Sequence, residues 1–218
     1  MSVSKLASVS IESGRWRRRK EDRPAEILAA AVKIFTLKGF AATKLDVVAK
    51  EAGVSKGTVY LYFESKEALF KAVVNEFVLP QIARAEEQAE NYTGSIKDLM
   101  VELVEQWRVN VLETDLSGIP KIIIAEASNF PELATFYLEN VIQRARKFAT
   151  NLIEFGIERG EFRKCNTNYA ARAFLTPMIF TAIWRHSLAP FDENYDIREY
   201  LNTHLDIFMR GILKDIQE

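Results

Sequence analysis

Apolar residues recur at three- and four-residue spacing almost everywhere beyond Pro24, and only 6 prolines and 9 glycines interrupt the 218-residue chain. That period belongs to helices buried on one face. No alternating run of β-branched residues bounded by tight-turn dipeptides occurs; Lys121-Ile122-Ile123-Ile124 comes nearest, and it leads into a helical pattern. The fold class expected is therefore all-α. Punctuation sets helices at about 24–38, from Thr43 to Gly53, from Lys56 to Phe63 and from Ser65 towards Pro80. Longer ones follow at about 80–91, 95–114, 120–128, 131–159, 166–187 and 196–216. The layout is an aperiodic, basic arm over 1–22, a compact three-helix head over 23–77 and a larger helical body over 78–218.

Within the head, Pro24 suits the first turn of a helix whose apolar face is Ile27, Leu28, Ala31, Ile34, Phe35 and Leu37, and Gly39 falls at its left-handed cap. Thr43-Lys44-Leu45-Asp46 has the form of a capping box. The short helix after it turns Val47, Val48, Ala49 and Ala52 inward, and Gly53 ends it. Ser55 then caps a third helix beginning Lys56-Gly57-Thr58. Two short helices joined by a tight glycine turn make a helix-turn-helix.

The third helix starts with short polar side chains, one cation and almost no bulk, so its end can enter a major groove about 12 Å wide. Lys56 can donate to guanine O6 or N7. Thr58 can offer a hydroxyl to a base or a methyl to thymine. Tyr60 and Tyr62 carry hydroxyls suited to phosphates, whereas Val59 and Phe63 face the core. Lys66 and Thr43 stand at helix starts, where an anion is favoured.

Charge agrees with this division. Residues 1–66 hold 13 Lys+Arg against 7 Asp+Glu and the remainder 16 against 23, although the whole chain sums to -1. A basic head on an acidic body suits a polyanionic partner. Arg15, Arg17, Arg18 and Arg19 of the arm could follow phosphates or enter a neighbouring minor groove, or form only a solvated tail.

The segment Thr43 to Lys66, TKLDVVAKEAGVSKGTVYLYFESK, resembles the DNA-binding domain of the TetR family of bacterial regulators, most specifically in GVSKGTVYLYFESKEALF. The likeness covers about residues 24–72. It implies that Lys56, Gly57 and Thr58 approach bases and that Thr43, Ser55, Tyr60, Tyr62 and Lys66 hold phosphates. It further implies a helical C-terminal domain that dimerises and encloses a small-molecule effector. Ligand binding would then favour a DNA-incompetent state. Leu61 stands where many members of the family carry a polar or basic residue.

In the body, Ala170 to Trp184 is apolar nearly all round and needs cover on more than one face. The last helix adds a stripe of Ile197, Tyr200, Leu201, Leu205, Phe208, Met209, Ile212 and Leu213. Phe174, Met178, Leu201, Leu205, Phe208, Met209 and Ile212 are the expected homodimer contacts, with a purely internal core as the alternative. A two-fold dimer reads a near-palindromic operator. Trp107, Phe130, Phe148, Phe174, Met178 and Trp184 are candidates to line a pocket for a lipophilic ligand, though aromatics at this spacing are also ordinary core.

Catalysis is not expected. The histidines are His186 and His204, Cys165 stands alone, and no glycine-rich phosphate loop or H-x-x-x-H pair occurs, so neither cofactor nor metal is anticipated. With one cysteine, no apolar leader and no run near 20 apolar residues, the expected location is cytoplasmic, with no membrane partner. Repression is the expected sense. A ligand-independent DNA-binding dimer, or an activator, remains open.

Overall fold

The computed structural model describes residues 23–193 and 195–214, so the arm with Arg15 to Arg19 lies outside the described residues. The chain forms two compact units, one ending at Val73 and the other starting at Val74. Among the described residues every regular element is helical, and a single β-bridge, Phe162 to Leu213, pairs two loops.

The first unit holds α1 (23–38), α2 (Leu45–Glu51), α3 (Lys56–Tyr62) and α4 (Lys66–Val73). Its core is a triangle of Phe35, Phe40 and Phe70, with ring centroids 5.5 to 5.6 Å apart and all three rings out of solvent. Burying each such ring contributes roughly 2–3 kcal/mol. Gly39 and Gly53 adopt φ of +78° and +65°, closing α1 and making the turn between α2 and α3. Leu37 departs from expectation: it is 73% exposed, and the apolar face of α1 ends at Phe35.

The second unit comprises α5 (Leu79–Glu90), α6 (Ile96–Trp107), α7 (Ile119–Glu126), α8 (Pro131–Tyr137), α9 (Gln143–Glu158), α10 (Thr167–Arg185) and α11 (Ile197–Ile212). Three widened π-helical turns, Val74–Val78, Arg108–Leu112 and Leu138–Ile142, interrupt runs that the sequence reads as plain helix. One core joins α6, α9, α10 and α11. Gly156 matters to it, because a Cβ there would run into the Phe162 ring, which is itself buried.

The stripe expected to meet a second subunit lies within that core. Phe174, Met178, Leu201, Leu205, Met209 and Ile212 are buried in a single protomer, and Phe208 is half-buried with its ring 5.2 Å from Phe174. Helical periodicity marks which face is apolar, and packing of α10 on α11 already covers this one. The outward face of α10 instead carries Tyr169, Ala173, Thr176 and Phe180, with Ile207 exposed on α11.

Candidate nucleic-acid interface and effector cavity

Residue by residue, α3 divides sharply. Val59 is fully buried and Phe63 nearly so, which fixes the helix by its inner face and leaves Lys56, Gly57, Tyr60 and Leu61 exposed. Ser55 caps the helix, its Oγ accepting from Thr58 N at 3.1 Å and lying 2.8 Å from Thr58 Oγ1. Gly57 is not demanded by the fold. Its φ is not positive, and a Cβ would meet only Ser55 Oγ, at 3.8 Å. Glycine in an exposed helix costs about 0.5–1 kcal/mol relative to alanine, so its bare surface points to close approach from outside.

Lys56 is paired within the head. Its Nζ lies 2.8 Å from Asp46 Oδ1 and 5.8 Å from the centre of the Tyr60 ring. The hydrogen bond to Asp46, with that residue's charge, raises the Lys56 pKa, so the side chain is a firm cation. Tyr60 is half-exposed, and Tyr62 is half-buried with its ring tilted against Phe63.

Two residues expected at phosphates are occupied with the turn that precedes α2. The Thr43 side chain is buried, and its hydroxyl donates to Gly39 O at 2.6 Å. Consequently Thr43 caps nothing: the residue before α2 is Lys44, with no side-chain cap bond, which corrects the capping box. Lys66 Nζ donates to Phe40 O at 2.7 Å and Ala41 O at 3.0 Å, over the face of the Phe40 ring at 4.5 Å. Thr43, Lys44, Asp46, Lys56, Tyr60 and Lys66 nevertheless border one open groove on the head.

The second unit contains an apolar cleft with a volume of about 160 Å³. Trp107, Phe148, Phe174 and Met178 line it as the sequence suggests, whereas Phe130 and Trp184 do not. Phe130 precedes α8, and Trp184 belongs to a separate aromatic stack with Phe180 and Tyr195, each ring 5.6 Å away. Sequence reading missed the wall supplied by α5: Gln81, Ile82, Arg84 and Ala85. The available signal was an amphipathic helix too poor in large apolar residues to bury any of them fully. Polar groups at the cleft are Gln81, Arg84, Gln106 and Asn110, the last on a π-helical turn.

Among the described residues no group of His, Cys, Asp and Glu is placed to hold a metal, and no helix is long and apolar enough to cross a membrane.

Comparison with known proteins agrees with both units. The profile of bacterial regulatory proteins of the tetR family matches residues 27–73, and that of the AefR-like transcriptional repressor C-terminal domain matches 98–211. The HTH-type transcriptional regulator YfiR of Bacillus subtilis is 32% identical over 149 residues, which is 67% of this chain and 71% of its own. The fatty acid metabolism regulator protein of the same organism is 24% identical over 195 residues, 88% of this chain and 98% of its own. In fold, the chain is similar to the Bacillus subtilis regulator FadR solved with stearoyl-CoA, with a TM-score of 0.72, 23% identity and coverage of 86% and 98%. The chain belongs to the TetR family of helix-turn-helix transcriptional regulators.

Proposed function

We propose that this regulator is a repressor that binds a near-palindromic operator as a homodimer and is released by a small, mainly apolar effector. The observation that carries the DNA reading is the outer face of α3, where Gly57 leaves a bare surface beside Lys56 although nothing in the fold excludes a side chain. Lys56 and Thr58 take bases and Ser55, Tyr60 and Tyr62 take phosphates. Thr43 and Lys66 act by holding the turn that sets α2 against α3 and α4.

Regulators of this family bind DNA as dimers with small-molecule effectors. The free face of α10 with Tyr169, Ala173, Thr176 and Phe180, together with Ile207 of α11, is the surface assigned to the second subunit.

The effector site is the cleft of the second unit. Its apolar lining suits a ligand with a hydrocarbon portion, and Arg84, Gln81, Gln106 and Asn110 suit a polar or anionic end. Likeness to a regulator solved with stearoyl-CoA supports an acyl-type ligand. Helix α5, one wall of the cleft, continues through the π-helical turn Val74–Val78 into α4. A ligand that binds one arrangement of α5 better thereby biases α4, and release from DNA is that bias expressed.

The test is selection of binding sites from random duplex DNA with the full chain at fixed salt. A near-palindromic site is expected, with Lys56→Ala relaxing preference at particular positions. Failure to enrich any sequence would overturn the reading.

A further inference from the structure

The outward face of α3 carries one large apolar side chain that the head does not use. Leu61 is 73% exposed, while Val59 and Phe63 on the inner face are 0% and 9% exposed. It stands one helical turn after Gly57, on the same side of the helix, and beside Tyr60. Bare surface at Gly57 lets the helix axis come close to a partner, and a leucine one turn further along then projects beyond the backbone toward whatever lies there. Lys56 at the start of the same helix is held by Asp46 in an exposed pair, and where DNA opens that pair the cation favours an electronegative surface on this side.

A major groove offers acceptors, donors and a single kind of apolar group, the C5-methyl of thymine. An isolated exposed leucine anywhere else on a protein needs no explanation. Here it lies on the face that the proposed DNA binding assigns to the groove, where a leucine pressed on polar base edges would displace their water and leave them unsatisfied, so an apolar group is its favourable neighbour. We infer that Leu61 is a specificity-determining residue that packs on a thymine methyl in each half-site; the inference rests on that DNA-binding reading. It predicts an operator with thymine at one symmetric pair of positions. The gain is apolar and uncharged, so it is independent of salt.

The experiment uses the operator selected by the full chain. Each thymine is replaced in turn by deoxyuridine, which removes the methyl and leaves every hydrogen-bonding group in place. Wild-type protein is expected to lose about fourfold in affinity per half-site at one symmetric pair, the effect of one buried methyl. Leu61→Ala is expected to bind the thymine and deoxyuridine operators equally, with an unchanged dependence of affinity on salt and an unchanged circular dichroism spectrum. An operator that is selected but shows no sensitivity to any deoxyuridine overturns the role of Leu61 and leaves DNA binding standing. So does a Leu61→Ala protein that retains the full discrimination. If no operator is selected at all, both readings fall together.

Discussion

The Asp46 carboxylate of α2 grips the Lys56 ammonium at the start of α3, with Oδ1 2.8 Å and Oδ2 3.1 Å from Nζ. Both side chains are more than half exposed, so the pair is a surface contact that DNA can open. While it is closed, the cation is neutralised and the carboxylate repels phosphates. Asp46→Asn is therefore expected to tighten binding to all sequences several-fold and to steepen the dependence of log affinity on log salt by up to about one unit. Titration over a salt series measures both. Weaker binding by the variant would mean that Asp46 itself accepts from a base, as carboxylates can from cytosine.

Lys66 makes a different prediction from a phosphate-binding lysine. Its ammonium bridges the carbonyls of Phe40 and Ala41 and lies over the Phe40 ring, so it fastens α4 to the turn after α1. Lys66→Met keeps the stem and removes the donors. It should lower the stability of the head by about 1 kcal/mol, a typical value for a partly solvated charged hydrogen bond. Thermal unfolding is expected to show the loss without added DNA. An unchanged melting temperature together with weaker DNA binding would return Lys66 to the phosphates.

The head could be read from sequence almost completely because each of its choices is local: Gly39 and Gly53 supply the turns, Ser55 and Ser65 supply caps, and Val59 faces in. Thr43 misled because its hydroxyl has two local options, the first turn of α2 or the carbonyl of Gly39, and the buried turn favours the second. In the body, amphipathic period alone cannot tell a face covered by another helix of the same protomer from one covered by a second subunit, and Phe174, Met178 and Leu205 pack in the protomer's own core. The three π-helical turns have no signature in residue type, and the α5 wall of the cleft is built from side chains too modest to announce burial.

Phe180 offers the corresponding test of the outer face. Its ring is 47% exposed in the protomer, four residues after Thr176 and seven after Ala173. Phe180→Asp places a charge in the middle of the proposed interface and leaves the protomer core of Phe174 and Met178 untouched. Sedimentation is expected to find the variant at the 24.9 kDa protomer mass and wild type at twice that, with operator affinity falling in parallel. A variant that stays dimeric would move the interface elsewhere.

Ala145 of α9 lines the cleft, and its small side chain keeps part of the space open. Ala145→Phe is expected to fill that space, leaving operator binding intact while abolishing release by an acyl-type effector. Stearoyl-CoA is the first probe, and thermal shift gives a second readout, since ligand bound only to the native state raises the melting temperature. If wild type gains stability with the probe and the variant gains just as much, the cleft is not where it binds.

Acid should weaken the body before it titrates ordinary carboxylates. Burial lowers the pKa of His204, partly offset by the hydrogen bond its Nε2–H donates to Phe174 O at 3.0 Å. Burial likewise lowers that of His186, helped by Arg185 and Lys121 and opposed by Asp115. Ser117 donates to Thr114 O and so receives from His186 Nε2, which places that proton on Nε2 in the neutral ring. With native pKa values below the unfolded value of about 6.5, the unfolded chain binds protons that the folded one refuses. The stability due to neutral histidines is therefore complete above about pH 6.5 and declines as pH falls below it. Urea midpoints should drop between about pH 7 and pH 5, above the carboxylate range. His204→Gln retains an N–H donor but cannot titrate, so its midpoint should fall less over that interval. An equal fall in the variant would assign the acid sensitivity to His186 or to groups outside this pair.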